Sequence, residues 1–109
     1  MGDMAEVTAN ERKGEIGLAQ AVAAHAFGLA LPDLQARNRK SCRARQLGMY
    51  LARMSLKLGL RETARGFGRN HRAVVQACQR IEDAREDPAF DRTVEWLEML
   101  VRRAARGAA

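Results

Sequence analysis

Apolar residues in this chain recur three and four positions apart, in segments closed by glycine or by an Asp-Pro pair. No stretch alternates apolar and polar residues as a half-buried strand does, so the fold is confined to packed helices. Ile16, Ala19, Ala23, Ala26 and Phe27 share a face of a first helix over about 14–27, which Gly28 closes. Leu31 and Leu34 plug a short turn, and 37–45 reads as a basic loop with no apolar face. A second helix, over about 43–57, has Leu47, Tyr50, Leu51, Met54 and Leu58 as its inner stripe and stops at Gly59. A short third helix, over about 61–67, ends at Gly68. Asn70 is a good N-cap and opens a fourth. That helix turns Val74, Cys78, Ile81 and Arg85 to one side and Arg72, Gln76, Gln79 and Asp83 to the other. Asp87 and Pro88 start a fifth, over about 88–105, with Phe90, Val94, Leu97 and Val101 inward.

Composition agrees with an all-α chain. Aromatics are only 5% and prolines two, while Ala, Leu, Arg and Glu dominate, a balance that suits helices better than sheets. At 109 residues and 47% apolar content, the chain has the material for one folded domain. The expected organisation is a flexible tail over 1–12, one helix-turn-helix domain over 13–105 and a frayed end over 106–109. The fold class is a compact bundle of about five helices.

Charge is unevenly placed. The net charge is +6, yet residues 37–80 alone hold twelve basic groups and one acid, Glu62. Such a concentration implies an anionic partner, nucleic acid before membrane, because a single Phe67 and no Trp is interleaved with the basic groups, too few anchors for a membrane surface. Arginine outnumbers lysine 16 to 3, and its planar fork suits phosphates and base edges.

Other chemistries find little support. Cys42 and Cys78 have no paired spacing, which points to a reducing compartment; the expected location is cytoplasmic, and nucleoid-associated if the chain binds DNA. His71 and Cys78 share a helix face but lie roughly 10 Å apart along it, too far for one metal ion to bridge. Ser41 and Cys42 lack the histidine and carboxylate that nucleophilic catalysis needs. No cofactor is implied, and the chain reads as a non-enzyme. His25 reads as an edge group, Cys78 as a small core residue, Met49 and Met54 as packing, and the run Glu82, Asp83, Glu86 and Asp87 as a solvated helix end.

The unit of third helix, glycine turn and fourth helix is a helix-turn-helix pattern, whose second helix enters the major groove of DNA. Its sequence from Phe67 through Gly68, Arg69, Asn70, His71, Arg72, Ala73 and Val74 to Ile81 resembles the signature F-G-G-R-D-H-[ST]-T-V-x-x-A-x-x-x-I. That signature belongs to the C-terminal DNA-binding domain of the bacterial replication initiator DnaA. Arg43-Ala44-Arg45-Gln46 resembles the family's R-x-R-Q, and Asp33-Leu34 its preceding D-L. Leu51-Ala52-Arg53 and Leu60 with Glu62 resemble the next two helices. The likeness spans about 22 to 86, so the chain is expected as a stand-alone module of that kind. No Walker A pattern occurs in it, so no nucleotide is expected as a partner.

The resemblance implies roles. The family reads the major groove with its D-H-T, which falls on Asn70, His71 and Arg72, with Gln76 one turn further on the outward stripe. The family's minor-groove arginine corresponds to Arg43 or Arg45, in a loop that also holds Arg39 and Lys40. Arg53 sits where a family lysine touches phosphate, and Lys57, Arg61 and Arg69 are further phosphate candidates. There are departures: one glycine of the family's pair is missing before Arg69, Asn70 replaces Asp, and Arg72 and Ala73 replace two hydroxyl residues. Asp favours cytosine where Asn favours adenine, and Arg seeks guanine or phosphate where Thr meets thymine.

The function expected is binding of double-stranded DNA in bacterial replication control or transcription. The alternative is an adaptor that binds a replication initiator or another regulatory protein through the helix carrying Trp96, a residue type enriched in protein hot spots.

Overall fold

The structure, a computed structural model, describes residues 2–107, with side chains from Arg12 onward. Five α-helices are joined by short segments, and no strand occurs among the described residues. They are α1 (Gly2–Ala26), α2 (Arg39–Tyr50), α3 (Leu60–Phe67), α4 (His71–Ala84) and α5 (Pro88–Gly107). A 3₁₀ turn over Leu31–Gln35 precedes α2, and a π turn over Leu51–Ser55 continues it.

α1 starts well before residue 14, so most of the segment expected as a tail is helical backbone. Apolar spacing cannot show this extension, because added helical residues gain a backbone hydrogen bond each without needing an apolar face, and no proline interrupts 2–14. Met1, Ala108 and Ala109 lie outside the described residues. α1 buries Ile16, Ala19, Ala23 and Ala24, while Ala26, expected inward, is exposed. Its small residues let α2 come close. A Cβ on Gly48 would stand 2.9 Å from the Phe67 ring and 3.4 Å from the Ala23 methyl. Leu34 is buried as a plug on Ala24 and Ala44, whereas Leu31 is exposed.

The second helix departs most from expectation. It begins at Arg39, inside the presumed basic loop, with the Asn38 side chain accepting a hydrogen bond from Ser41 N–H at 2.8 Å. It ends in the π turn, where Leu56 N–H reaches back to Leu51 C=O at 3.1 Å. A π turn is wider than an α turn and shifts the inward face. Ser55 is therefore buried, and Met54, expected in the stripe, is exposed. Leu47, Tyr50, Leu51 and Leu58 are buried as expected. Gly59 does not stop this helix. It precedes α3, and its N–H donates to the Glu62 side chain at 3.1 Å.

α3 and α4 follow the sequence closely. Gly68 closes α3 at φ 63°, a left-handed conformation suited to glycine. Asn70 caps α4, its side-chain oxygen accepting from Ala73 N–H at 2.8 Å. Phe67, Val74, Ala77 and Ile81 fill the core with Leu47, Leu51, Val94, Leu97 and Val101. Cys78 and Phe90 are half-buried against that core.

A polar network ties the C-terminal end of α4 to α2 and α5. Arg85 donates to Asp91 at 2.6 Å, to Glu98 at 2.9 Å and to the Tyr50 hydroxyl at 2.9 Å. Tyr50 in turn donates to Glu82 at 2.7 Å, and Ser55 to Glu98 at 3.2 Å. Burial and the Glu82 bond push the Tyr50 hydroxyl up to about 12.

Candidate nucleic-acid interface

The chain builds its outward surface from the turn at Gly68. The core grip of Phe67 and Val74 fixes both helices on either side of that turn. The first two turns of α4 then stand free: Asn70, His71, Arg72, Val75 and Gln76 are exposed, as are Gln79 and Arg80 beyond them. Val75, 55% exposed, was missed in the sequence reading. Its signal was available, since it lies three residues after Arg72 and four before Gln79, on the polar stripe. An apolar side chain there offers contact to a thymine methyl group between hydrogen-bonding neighbours. Asn70 uses its carbonyl oxygen in the cap, which fixes the side chain along the helix start and favours capping over a two-ended clamp on adenine.

The basic groups expected in a loop are sorted by the first turns of α2. Arg39, Lys40 and Arg43 project from one exposed side, while Ser41, Ala44 and Arg45 turn inward. The Arg45 guanidinium donates to Leu34 C=O at 2.6 Å and Ala36 C=O at 2.9 Å, and the residue is buried. It staples the 3₁₀ turn to α2 and is withdrawn from any ligand. Of the two arginines the resemblance offered for the minor groove, Arg43 is therefore the one left free. Arg39, Cys42, Arg43 and Gln46 face Arg80 and Ala84 of α4 across an open groove of about 760 Å³. The structure thus joins Arg80, not among the expected contacts, to the α2 cations.

The remaining candidates differ in freedom. Arg61 and Arg69 are exposed, and Lys57 stands exposed on a left-handed backbone at φ 60°. Arg53 is half-buried and donates to Leu58 C=O at 2.9 Å, which supports the segment leading into α3. It also lies near enough to Cys78 to favour a thiolate, but burial outweighs this and pushes the thiol up. Among the described residues, no cluster of three metal-ligating side chains occurs, and no helix is long and apolar enough to cross a membrane.

Comparison with known proteins places this arrangement. The family described as "Bacterial dnaA protein helix-turn-helix" matches residues 16–81. The chromosomal replication initiator protein DnaA of Symbiobacterium thermophilum is 39% identical over 87 residues, covering 76% of this chain and 19% of the relative. That of Anaplasma marginale is 37% identical over 84 residues, covering 74% and 18%. The chain thus spans about a fifth of the curated relatives it matches. A solved structure described as a DNA replication initiation factor superposes with a TM-score of 0.82 at 24% identity, over 92% of this chain and 32% of the other. Another, replication initiator DnaA bound to AMPPCP and single-stranded DNA, gives 0.80 at 24% identity, over 94% and 32%. Both share the fold. By the family match and by the order of its turn, cap and core residues, this chain belongs to the bacterial DnaA helix-turn-helix family.

Proposed function

We propose that this chain is a non-catalytic module that binds double-stranded DNA in the control of bacterial replication initiation. α4 lies in the major groove. His71, Arg72 and Gln76 face base edges, Val75 adds an apolar contact, and Asn70 positions the helix start. Arg39, Lys40 and Arg43, with Arg80 across the groove, hold the backbone or the neighbouring minor groove. Lys57, Arg61 and Arg69 meet phosphates, and Arg53 adds what its bond to Leu58 leaves free. The observation that carries this reading is the exposed stripe from Arg72 through Val75 and Gln76 to Gln79 on the second helix of the family's motif.

The test is binding to labelled duplexes at one salt concentration, for the parent chain and for Arg72→Ala and Gln76→Ala. Loss of affinity in both variants, with unchanged thermal stability, supports the reading. Unchanged duplex affinity in both removes α4 as the reading helix. Recovery of bound DNA across the genome then separates origin sites from promoters. Enrichment at promoters alone would move the role to transcription.

A further inference from the structure

α5 buries Val94, Leu97 and Val101, and its other sides are not alike. Asp91 and Glu98 lie on the flank that meets Arg85, and both are held by that guanidinium. At 3.6 residues per turn, Trp96 and Leu100 sit about 170° round the helix from that pair. Trp96 is 56% exposed and Leu100 39%. Arg92 precedes Trp96 by one turn, and Arg103 follows Leu100 by three residues, so an arginine stands at each end of one apolar stripe. Neither makes an ion pair among the described residues. The stripe lies outside residues 16–81, the part matched to the family.

We propose that this stripe docks an acidic segment of a partner protein, one that carries leucine or phenylalanine. The partner's apolar side chains would cover Trp96 and Leu100, and its carboxylates would pair with Arg92 and Arg103. A large aromatic on a stripe with an arginine at each end has the composition of a binding hot spot, and arginine–carboxylate forks fix the orientation. A second copy of this chain fits poorly. Face-to-face stripes would bring four arginines together over two pairs of apolar side chains, far short of the roughly 800 Å² per partner of a stable interface. A membrane surface fits poorly as well, because one Trp and one Leu do not make the broad apolar face of an interfacial helix. The proposal adds a second surface to the DNA reading and does not depend on it.

Trp96 is the chain's single tryptophan, so its emission reports this surface alone. Random peptides displayed on phage are selected on the parent chain with duplex DNA present. They are counter-selected on the double variant Arg92→Glu with Arg103→Glu. The recovered peptides should be rich in Asp and Glu beside Leu or Phe, and should shift Trp96 emission to shorter wavelength on titration. They should bind Trp96→Ala at least about tenfold more weakly, while duplex affinity of all variants stays within about twofold of the parent. Absence of acidic enrichment, or peptides that bind Trp96→Ala undiminished, overturns the proposal. It also fails if duplex DNA or anionic vesicles alone shift Trp96 emission and the charge-reversed variant abolishes that shift. The stripe would then be a polyanion or lipid surface. Duplex affinity measured on the same samples keeps failure of this proposal separate from failure of the DNA reading.

Discussion

The two ends of α4 treat charge in opposite ways. At the C-terminal end the one half-buried cation is consumed internally: Arg85 is shared among Asp91, Glu98 and Tyr50, and Tyr50 is bonded to Glu82. At the N-terminal end, and across the groove on α2, Arg72, Arg39, Lys40 and Arg43 make no ion pair among the described residues. The first arrangement fixes how α4 sits on α2 and α5. The second leaves cations exposed to solvent and open to an external anion. One short helix is thus anchored at one end and available at the other, as expected of a helix that must hold its angle while its tip enters a groove.

The largest effect should appear where the free cations meet salt. If five to seven of the exposed basic groups contact phosphates, log affinity against log salt should slope about −4.5 to −6, at about 0.9 ions per phosphate. Raising salt fourfold would then cost roughly 500- to 4,000-fold in affinity. Fluorescence anisotropy of a labelled duplex over a salt series checks this. A slope flatter than about −2 would mean that these cations are not a DNA footprint.

The anchored end should break on the stability side instead. The Arg85 side chain is 19% exposed and Glu98 14%, so Arg85→Ala strands a nearly buried carboxylate. We expect a loss of about 2–3 kcal/mol, less than for a fully buried pair because Asp91 is partly solvated. For a domain of this size that lowers Tm by roughly 10–20 °C. Arg43→Ala, with nothing to strand, should stay within about 0.5 kcal/mol. Equal melting points for the two variants would erase the contrast between the ends.

Alkaline titration tests the same network through Tyr50, the chain's one tyrosine. Its folded pKa is raised to about 12, above the unfolded value of 10.0. The folded state therefore keeps a proton that the unfolded chain releases. Stability from this source is intact below pH 10 and is lost as pH rises from 10 to 12, by at most about 2–3 kcal/mol. Tyr50→Phe should flatten that window in denaturant titrations. Tyrosinate absorbance appearing near pH 10 in the folded protein would show the hydroxyl to be free.

The helix-turn-helix was legible because its signals are local. Gly68 permits the left-handed turn, Asn70 caps its own helix, and Asp87-Pro88 announces the next. The start of α2 was not. Its first turns bury Ser41, Ala44 and Arg45, of which only Ala44 is apolar, so no apolar stripe marks them. The partners that bury Arg45 are carbonyls nine and eleven residues back in the chain. A sequence cannot show which of two neighbouring arginines is occupied by such distant acceptors, so Arg43 and Arg45 looked equivalent. Met54 was misplaced for a related reason, since only the hydrogen-bond register of the π turn reveals the shifted face.

Within the free end, reading and positioning should separate. Arg61→Ala and Arg69→Ala should weaken binding to all duplexes by a similar factor, because phosphate contacts carry no base information. Arg53→Ala is a poorer probe, since it also removes the support at Leu58. His71→Ala should cost about 1–3 kcal/mol on a preferred site and much less on random DNA. Parallel titrations on a selected and a scrambled duplex measure both quantities. Equal losses on the two would take base reading away from His71.

The smallest effect concerns how well the free end distinguishes sequences. The family's reading residues are altered at Asn70, Arg72 and Ala73, and the structure narrows what the replacements can do. Asn70 has its amide oxygen committed to Ala73 N–H, which favours a capping role over a base clamp. Ala73 is partly buried, so its methyl offers little to a thymine. Arg72 remains fully available, and an arginine at that point binds phosphate as readily as guanine. Each mismatched contact typically costs about 1–3 kcal/mol in discrimination, so three weakened contacts remove most of it while the added cation raises affinity for any duplex. We therefore expect this chain to prefer the initiator family's recognition box over scrambled DNA by less than about tenfold, or 1.4 kcal/mol. Competition between the two duplexes at one salt concentration measures the ratio. Arg72→Thr, which restores a hydroxyl and removes the cation, should lower affinity for scrambled DNA more than for the box, so the ratio should rise. A parent preference of about a hundredfold or more would instead place the reading in His71, Val75 and Gln76 and make the three altered positions bystanders.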